Sequence, residues 1–308
     1  MNILVTGGAG FIGSNICDVY LAQGHDVIVL DNLSNSSGEF INKGCKFYKN
    51  DIYLDNIEYI FKENKIDVIN HQAAQIDLRD SIVDPVKDLR INIEGSLNLL
   101  QLAEKYKVKK FIFASSGGAA YGEQVQFPAS EDHIIQPLSP YGISKTTIEK
   151  YLFFYKNYYN INYIILRYAN IFGERQGNSG EGGVVSVFMK NIITDKISYI
   201  NGDGTNTRDY VYVKDVADAN FKALDCNVSD FFNISTGTET SANLLVELIK
   251  KVTGTDSKFV HRETIKGEQK RSCLDNNKAN IILGWKPVFK LEDGLKNTYQ
   301  WFKSFNAR

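Results

Sequence analysis

The sequence predicts an α/β protein with a doubly wound parallel sheet, followed by a smaller mixed α/β lobe. Short apolar runs alternate with stretches of helical periodicity, and glycines or polar residues follow the runs. Strands that alternate with helices in this way pair in parallel, and their ligands bind at the carboxyl ends of the strands. With 308 residues, 43% of them hydrophobic, the chain can bury a core in each of two lobes.

The first unit of the sheet carries a nucleotide motif. Residues 2–6 form an apolar strand, residues 7–13 are rich in glycine, and a helical stripe leads to a second strand at 26–31. The glycines permit a tight turn and the close approach of backbone to a pyrophosphate at a helix N-terminus. Asp31 lies 18 residues beyond Gly13, where a carboxylate accepts ribose hydroxyls and repels a 2′-phosphate. This Rossmann-type unit predicts NAD rather than NADP as cofactor. The alternative is a plain strand, turn and helix without a nucleotide.

The alternation of strands and helices continues to residue 168. We predict further strands at 46–48, 68–71, 110–114 and 163–168, and helices at 55–64, along the stripe Leu89, Ile93, Leu97 and Leu100, and from Pro140 onwards. Short motifs follow three of these strands, at 51–52, 72–74 and 115–122. Because the carboxyl ends of parallel strands share one edge of the sheet, we expect these motifs to meet there.

Tyr141 and Lys145 form a candidate catalytic pair after the fifth strand. They are four residues apart, so on the helix that Pro140 begins both side chains leave from the same face. A nearby ammonium favours phenolate and lowers the pKa of the phenol, which can turn a tyrosine into a general base. The alternative is a solvated pair on a helix surface. The position of the pair, downstream of a complete nucleotide motif, favours chemistry.

The composition excludes several classes of function. The 35 basic and 36 acidic residues nearly cancel, so no overall field attracts nucleic acid or an anionic membrane, and we expect neither partner. The four cysteines are scattered without metal-ligand spacing, so we expect free thiols and no metal site. The residues from Met1 run straight into the glycine turn, without a charged leader or a long apolar span, so we expect a cytoplasmic location.

Taken in order, the motifs resemble those of the extended short-chain dehydrogenase/reductases, specifically NAD-dependent nucleotide-sugar epimerases of the UDP-glucose 4-epimerase type. The resemblance runs nearly end to end. It rests on Thr6 to Gly13, Asp31 to Ser34, Asn92 to Gly95, Tyr121-Gly122, Ser139 to Tyr141 with Lys145, Leu166 to Asn170, Gly202 to Gly204, Thr207 to Val211, and Leu283 to Trp285.

The resemblance implies a division of the chain and a set of site residues. Residues 1–171 would form the NAD-binding domain, a segment near 209–234 would return to it, and residues 172–308 would form the sugar-nucleotide lobe. The implied cofactor-binding residues are Gly7, Gly10, Phe11, Ile12, Gly13, Asp31, Asn32, Asp51, Ile52, Gln72, Ala73, Ala74, Asn92, Tyr141, Lys145 and Tyr168. The implied substrate-binding residues are Ser116, Tyr141, Asn170, Arg208 and Ser272. The alternatives are a core aromatic for Tyr168 and a surface ion pair with Asp209 or another acid for Arg208.

The chemistry that the resemblance implies is a 4-epimerisation. Tyr141, as phenolate, would remove the proton of the sugar 4-hydroxyl while C4 gives hydride to NAD, and Lys145 with the positive nicotinamide would keep the tyrosine ionised. The 4-keto sugar would turn over and be reduced on its other face. Asn170 and Arg208 would hold the nucleotide diphosphate during this rotation.

One departure from the family pattern concerns the third catalytic group. Many relatives carry a serine or threonine four residues before the tyrosine of Tyr121-Gly122, and here that position is Gly117. Ser116 is the nearest hydroxyl, followed by Ser115, and we predict that Ser116 serves as the catalytic hydroxyl. Gly118 and Ala119 replace the adjacent acids of water-eliminating relatives, which favours epimerisation.

Two departures concern the substrate. The arginine that many relatives carry before a Gly-Glu dipeptide is Ile265 here, and Arg262 or Lys266 are left open as its replacement. Ser272 occupies a position where some relatives carry a tyrosine that closes the pocket over the C2 substituent. The small serine predicts activity on UDP-N-acetylglucosamine and UDP-N-acetylgalactosamine as well as on UDP-glucose and UDP-galactose.

Other functions on the same scaffold remain open at this point. They are a different NAD-dependent sugar-nucleotide modification, such as UDP-glucuronate epimerisation or a net oxidoreduction, and a non-catalytic NAD-binding protein. The resemblance also implies a homodimer through helices around 88–107 and 143–159. The aromatic residues Phe153, Phe154, Tyr158 and Tyr159 suit such an interface, with the domain's own core as the alternative.

Overall fold

The computed structural model describes residues 1–177, 183–264 and 269–306, so Ile265 and Lys266 lie outside the described residues. The strands are β1 Asn2–Thr6, β2 Asp26–Asp31, β3 Lys46–Lys49, β4 Val68–His71, β5 Lys110–Ser116, β6 Asn162–Tyr168, β7 Asn170–Phe172, β8 Ser198–Asn201, β9 Thr207–Arg208, β10 Tyr210–Tyr212, β11 Asp230–Ile234, β12 Thr240–Ser241 and β13 Phe259–Arg262. The helices are α1 Phe11–Ala22, α2 Glu58–Glu63, α3 Leu78–Val83, α4 Pro85–Leu89, α5 Gly95–Lys105, α6 Gly117–Tyr121, α7 Pro140–Tyr159, α8 Val184–Ile193, α9 Val213–Asp225, α10 Ala242–Thr253 and α11 Leu291–Asn306, with π-helical segments at Arg90–Glu94 and Ala279–Leu283.

Seven strands form one parallel sheet in the order β3-β2-β1-β4-β5-β6-β11. The strand order reverses between β1 and β4, which is the switch point where doubly wound sheets bind ligands. Alternate side chains of β1 enter different cores: Ile3 packs with α1 and α9 on one face, and Leu4 packs with α2, α5 and α7 on the other. The predicted fold class is confirmed.

The remaining elements form a smaller mixed lobe. Helices α8, α10 and α11 share an apolar core that includes Phe188, Leu245 and Phe302. Three two-stranded sheets accompany them, in which β7 pairs with β10, β8 with β13, and β9 with β12. Helix α9 and strand β11, within 209–234, pack on or extend the large sheet. The division at residue 171 stays a prediction.

The predicted long helix with its stripe of four apolar residues is wrong in detail. The structure instead has α3, α4, the π-helical segment Arg90–Glu94 and α5 in succession. A π turn adds a residue to the helical repeat and rotates the side chains before it relative to those after it. Leu100 is therefore buried, whereas Leu89 is 49% exposed. Among residues 1–177, 183–264 and 269–306, no helix is long and apolar enough to cross a membrane.

Candidate functional site

The turn between β1 and α1 requires glycine at two positions. A Cβ on Gly7, whose φ is +69°, would lie 2.7 Å from the backbone nitrogen of Ala73, and a Cβ on Gly13 would overlap the carbonyl of Gly7. The N-cap of α1 is Gly10, which brings no side chain to the helix N-terminus. Backbone N–H groups at this end are therefore open to an anion.

A cavity of about 460 Å³ begins at this turn and follows the carboxyl ends of β2, β3 and β4. Twelve of the predicted cofactor-binding residues line it: Gly7, Gly10, Phe11, Ile12, Gly13, Asp31, Asn32, Asp51, Ile52, Gln72, Ala73 and Ala74. Residues 175–177, from the segment after β7, complete the wall. The sequence motifs of three strands therefore meet at one site.

Asp31 joins the glycine turn to the end of β2. Its carboxylate oxygens accept from the backbone N–H groups of Ala9 at 3.0 Å and Leu33 at 2.8 Å. Burial raises the pKa of Asp31 from its usual value. Next to it, the Asn32 amide donates to Asp51 at 2.7 Å, which ties the β2 motif to the β3 motif.

Helix α7 places Tyr141 and Lys145 beside the end of β5. The Ser139 hydroxyl caps the helix by accepting from the Gly142 N–H at 3.1 Å, and Pro140 occupies its first turn. Gly142 lets this turn approach α6, since a Cβ there would lie 2.5 Å from the carbonyl oxygen of Ala119. The Lys145 ammonium is buried, donates to the Ala114 carbonyl at 2.9 Å and lies 5.7 Å from the centre of the Tyr141 ring.

The protein groups around the pair do not favour phenolate by themselves. Burial, with a smaller contribution from the Asp88 carboxylate, raises the pKa of Tyr141 well above its usual value of 10. Burial lowers the pKa of Lys145 to about 8, against the opposing effect of Asp88 and Glu149. The phenol pKa is therefore shifted in the direction opposite to the one expected from the sequence, and a further positive charge is required to lower it.

Asp88 is a buried junction beneath this pair. It is 1% exposed, and its two oxygens accept from the Asn92 amide at 2.9 Å and from the Ser144 hydroxyl at 2.6 Å. Asn92 in turn exchanges two hydrogen bonds with the backbone of Gln75, at 2.9 and 3.0 Å. Asn92 does not line the cavity itself. It fixes the cavity wall after β4 and connects that wall to α7.

Tyr168, at the end of β6, is also one step removed from the cavity. Its hydroxyl accepts from the Asn220 amide at 2.9 Å and lies 3.3 Å from the Gln72 amide nitrogen. The Asn70 amide joins the same buried cluster by donating to Asn220 at 2.9 Å. Tyr168 is 6% exposed and packs in the core beside α1 and α9. Its connection to the cofactor cavity therefore runs through Gln72.

The hydroxyls after β5 have different partners. Ser115 donates to Glu149 at 2.7 Å, and Glu149 forms a buried ion pair with Arg167 at 2.6 Å, so Ser115 belongs to the core. Ser116 is partly exposed and accepts from the Ala119 N–H at 3.3 Å as the N-cap of α6. A Cβ on Gly117 would overlap the Cδ1 atom of Leu274. The buried Leu274 thus accounts for the glycine at the position where relatives carry a hydroxyl.

The predicted substrate residues Asn170 and Arg208 lie on short strands outside the large sheet, and Ser272 lies outside the strands. Asn170 is exposed at the start of β7, which pairs with β10, and Arg208 in β9 donates to the Thr207 carbonyl at 2.8 Å. The Asp209 carboxylate is buried and accepts from Thr236 and Gly237 at 2.9 Å. Ser272 is buried, with its hydroxyl oxygen 3.5 Å from the point where a Cβ on Gly118 would lie.

Comparison with known proteins identifies the family. The model of the NAD dependent epimerase/dehydratase family matches residues 3–235 of this chain. The chain belongs to this family. The resemblance found in the sequence is thereby confirmed, as are the expectation of an enzyme of the isomerase class and of NAD as its cofactor.

Several relatives match over almost their whole length. A putative UDP-glucose 4-epimerase of Methanocaldococcus jannaschii is 45% identical over 304 residues, with 99% of each chain covered. The structure of a Thermotoga maritima UDP-glucose 4-epimerase with UDP-glucose superposes with a TM-score of 0.97 at 45% identity, covering 99% of this chain and 100% of that one. A Methanobrevibacter ruminantium UDP-N-acetylglucosamine 4-epimerase superposes with a TM-score of 0.93 at 33% identity, covering 99% and 98%.

The site of this epimerase/dehydratase family member fits a dinucleotide. The glycine turn leaves room that a Cβ would fill, and the uncapped N-terminus of α1 faces the cavity. Asp31 retains acceptor capacity after its two backbone contacts, because each carboxylate oxygen has two lone pairs. Among the described residues, no group of three or more His, Cys, Asp or Glu side chains is arranged to hold a metal ion.

Sequence reasoning missed the buried polar groups that support this site. Asp88, His71, Asn70 and Asn220 are all at most 1% exposed, and each forms a hydrogen bond with a side chain of another element. The sequence does contain a pattern that indicates two of these four residues. Asn70 and His71 end a short strand that is otherwise apolar, and polar side chains inside a buried strand require partners.

Proposed function

We propose that this protein is a UDP-glucose 4-epimerase. The observation that carries the proposal is the position of Tyr141 and Lys145, side by side at the carboxyl end of β5, in a chain that matches UDP-glucose 4-epimerases over 99% of its length. NAD supplies the group that accepts hydride from C4 of the sugar and later returns it. The chain's own residues then have to move one proton and to hold the sugar nucleotide.

We assign to Tyr141 the transfer of the proton of the sugar 4-hydroxyl. Its oxygen takes the proton of the 4-hydroxyl as the C4 ketone forms and returns it when the ketone is reduced. Lys145, held by the Ala114 carbonyl, supplies a positive charge beside the ring. Because the surrounding protein raises the pKa of Tyr141, ionisation is coupled to the positive charge of the oxidised cofactor. Reaction would therefore begin only with oxidised cofactor in place.

Ser116 is proposed as the hydroxyl that orients the 4-hydroxyl of the sugar. It is partly exposed, whereas the hydroxyl of Ser115 is committed to Glu149. We expect Ser116→Ala to lower kcat by roughly ten-fold or more while NAD remains bound. Full turnover in Ser116→Ala would remove this assignment and leave the role of Tyr141 intact.

The substrate proposal includes the N-acetylated sugars. Asn170 and Arg208 are proposed to hold the UDP diphosphate. Ser272, buried beside Gly118, is proposed to admit a C2 substituent because serine is smaller than the tyrosine that some relatives carry there. A Ser272→Tyr variant should reduce kcat/KM for UDP-N-acetylglucosamine roughly ten-fold or more relative to UDP-glucose, because the larger ring fills that space. Ser272→Ala is the control, since it keeps the space. Equal losses for both sugars in Ser272→Tyr would contradict the pocket argument.

The central experiment separates the candidate activities. Purified protein is incubated with UDP-glucose, UDP-N-acetylglucosamine or UDP-glucuronate, and the epimers are separated and quantified. We expect conversion of UDP-glucose to UDP-galactose, and Tyr141→Phe should lower kcat by about a hundred-fold or more. Stoichiometric release of NADH would favour a net oxidoreductase, conversion of UDP-glucuronate alone would favour that epimerase, and absence of any conversion would favour a non-catalytic protein.

Two further proposals concern the setting of the enzyme. A homodimer is supported by the exposure of Phe153, Phe154, Tyr158 and Tyr159 on α7, none of which is used in the protomer's own core. A cytoplasmic location is supported by the four cysteines, all free. Fractionation of cells, followed by detection of the protein in the cytosol, tests the second proposal.

A further inference from the structure

The Arg175 side chain reaches from the segment after β7 to the first helix of the large sheet. Its Nη2 atom forms an ion pair with Asp18 of α1 at 2.6 Å. Its guanidinium carbon lies 5.8 Å from the centre of the Phe40 ring. Asp18 is itself fixed, because it also accepts from the Asn42 amide at 2.7 Å. Two segments, α1 and the loop that carries Phe40 and Asn42, thus hold the guanidinium in one position.

The other terminal nitrogen of Arg175, Nη1, is buried. Among the described residues, no group forms a hydrogen bond with Nη1. The side-chain oxygen of Gln176 is likewise buried and has no hydrogen-bond partner in the described part of the chain. The amide nitrogen of Gln176 donates to the Ile171 carbonyl at 3.0 Å and so sets the orientation of the group. Buried polar atoms without partners are rare, so an unpaired donor and an unpaired acceptor on consecutive residues indicate a ligand.

Both residues line the cofactor cavity. The same cavity is lined by Phe11, Ile12 and Gly13 at the N-terminus of α1. A dinucleotide in this cavity offers two kinds of group that match the unpaired atoms. The negatively charged diphosphate accepts hydrogen bonds, as the Nη1 donor requires, and ribose hydroxyls donate them, as the Gln176 oxygen requires.

The charge of the chain leaves phosphate binding to local groups. With 35 basic and 36 acidic residues, the protein has no overall positive field for phosphate. Among the described residues that line the cavity, the basic side chains are Lys87 and Arg175. Lys87 is exposed on α4, whereas the Arg175 guanidinium is oriented by Asp18 and keeps one donor edge unpaired. A guanidinium oriented in advance loses little entropy when it binds a phosphate.

We propose that Arg175 binds the diphosphate of NAD through Nη1, opposite the N-terminus of α1, and that its ion pair with Asp18 fastens the segment after β7 across the bound cofactor. The cofactor would then be held from both lobes. A cofactor that is reduced and reoxidised within one turnover must not dissociate, so this clasp would serve retention of NAD. The inference depends on NAD as cofactor and is independent of which sugar is the substrate.

The test measures cofactor binding rather than turnover. Wild type, Arg175→Met and Lys87→Met are purified as the full chain, and dissociation constants for NAD, ADP and adenosine are determined by calorimetry. We expect Arg175→Met to weaken NAD and ADP binding about ten- to a hundred-fold, in line with the loss of one hydrogen bond between charged groups, and to leave adenosine unchanged. Lys87→Met should change none of the three by more than about two-fold.

Two outcomes would overturn the proposal. Unchanged NAD affinity in Arg175→Met would mean that Nη1 does not bind the cofactor. An equal loss of NAD and adenosine affinity would mean that Arg175 merely supports the cavity wall. Asp18→Asn gives an independent check, because it keeps Arg175 and removes the negative charge that anchors it. NAD should leave this variant faster than wild type when the holoenzyme is diluted, and an unchanged dissociation rate would exclude the clasp.

Discussion

Burial and the charge of Asp88 both shift the ionisation of the catalytic pair. The buried Asp88 carboxylate is not among the residues that line the cavity, yet its charge raises the pKa of both Tyr141 and Lys145. It also holds Ser144, the neighbour of Lys145, at 2.6 Å. Asp88 is therefore a positioning residue with an electrostatic effect. Its sequence neighbours give no hint of this, because an aspartate on a short helix is usually solvated.

We predict that Asp88→Asn shifts the pH profile of kcat/KM to lower pH. Asparagine can keep a hydrogen bond with Asn92 and with Ser144 but removes the negative charge. Without that charge the pKa of Tyr141 falls, so the base form persists to lower pH, and the pKa of Lys145, about 8 in the wild type, falls as well. Both limbs of the profile should move in the same direction. Asp84→Asn, at the exposed N-cap of α4, is the matched control, and an unshifted profile in Asp88→Asn would contradict the electrostatic role.

A second prediction concerns Gly117, the position where many relatives carry a serine or threonine. A side chain there meets the buried Leu274, whereas a side chain at Gly118 meets the Ser272 hydroxyl at an ordinary distance of 3.5 Å. We expect Gly117→Ser to lower the free energy of unfolding by about 1–3 kcal/mol through overpacking, and Gly118→Ser to change it by less than about 1 kcal/mol. Urea denaturation measures both. If shortening the side chain with Leu274→Ala does not reduce the effect of Gly117→Ser, Leu274 is not the cause.

At the level of helices and strands, the sequence predicts the bounds of those elements that local residue patterns determine. The bounds of β1, β2 and β4 and the start of α7 at Pro140 follow from apolar periodicity and glycine or proline signals. The π-helical segment at 90–94 does not, because an added residue in one turn leaves no mark on composition. It is nevertheless central to the site, since it presents Asn92 to the wall after β4.

The candidate site likewise contains residues that the sequence predicts and residues that it does not predict. Residues that line the cavity were predictable, because glycines and a carboxylate after a strand are read directly from spacing. The side chains behind them were not. His71 and Ser96 are 25 residues apart, and only the folded chain shows that they share a hydrogen bond of 2.8 Å. Such partners depend on strand order and on the rotation of a helix, which one sequence alone does not determine.

His71 links three elements through a chain of hydrogen bonds with defined directions. The Ser96 hydroxyl donates its proton to the Asn92 carbonyl at 2.6 Å, so it must accept from His71 Nε2–H. His71 Nδ1 then accepts from the Thr6 hydroxyl at 2.7 Å, and Thr6 accepts from the Ala73 N–H at 3.3 Å. The ends of β1 and β4 are thereby joined to α5 and the π-helical segment, with a neutral histidine at the centre.

We predict that this chain of hydrogen bonds loses its stabilising effect in acid. Burial, together with the charge of Lys145, lowers the pKa of His71 to about 3 in the folded protein, below the usual value near 6.5 of an unfolded chain. Only the unfolded state binds the proton between these values, so the free energy of unfolding falls as pH decreases through this range, by up to ~1.4 kcal/mol per pH unit. The His71→Asn variant has no imidazole at this position, so its unfolded state does not bind this proton. Its stability deficit relative to wild type should therefore shrink between pH 7.5 and pH 5.0.

Urea denaturation at the two pH values measures that difference. His261→Asn, at an exposed position on β13, controls for the replacement of a histidine. A deficit of His71→Asn that stays constant or grows toward pH 5.0 would show that His71 does not remain neutral in the folded protein.

At the scale of the whole molecule, one face is more apolar than a monomer requires. The exposed apolar side chains concentrate on α3, α4 and α7, which contact one another. Val83 is 84% exposed and Tyr158 is 72% exposed, whereas most of α5 is buried. The interface proposed for 88–107 and 143–159 is therefore better assigned to α7 with α3 and α4. A contiguous apolar surface of this kind indicates a site of association.

We predict that the protein is a dimer in solution and that Phe153→Glu makes it monomeric. Phe153 is 61% exposed near the middle of α7, so a carboxylate there is solvated in the monomer and buried without a partner in a dimer. Light scattering coupled to size-exclusion chromatography gives the mass directly, against 34.7 kDa for one chain. Ile281→Glu is the control, because Ile281 is 80% exposed on the second π-helical segment, away from α7. A monomeric wild type, or a Phe153→Glu variant that stays dimeric, would show that a second copy does not cover this face. Since Tyr141 lies on α7 as well, retention of epimerase activity in monomeric Phe153→Glu would further show that each protomer holds a complete site.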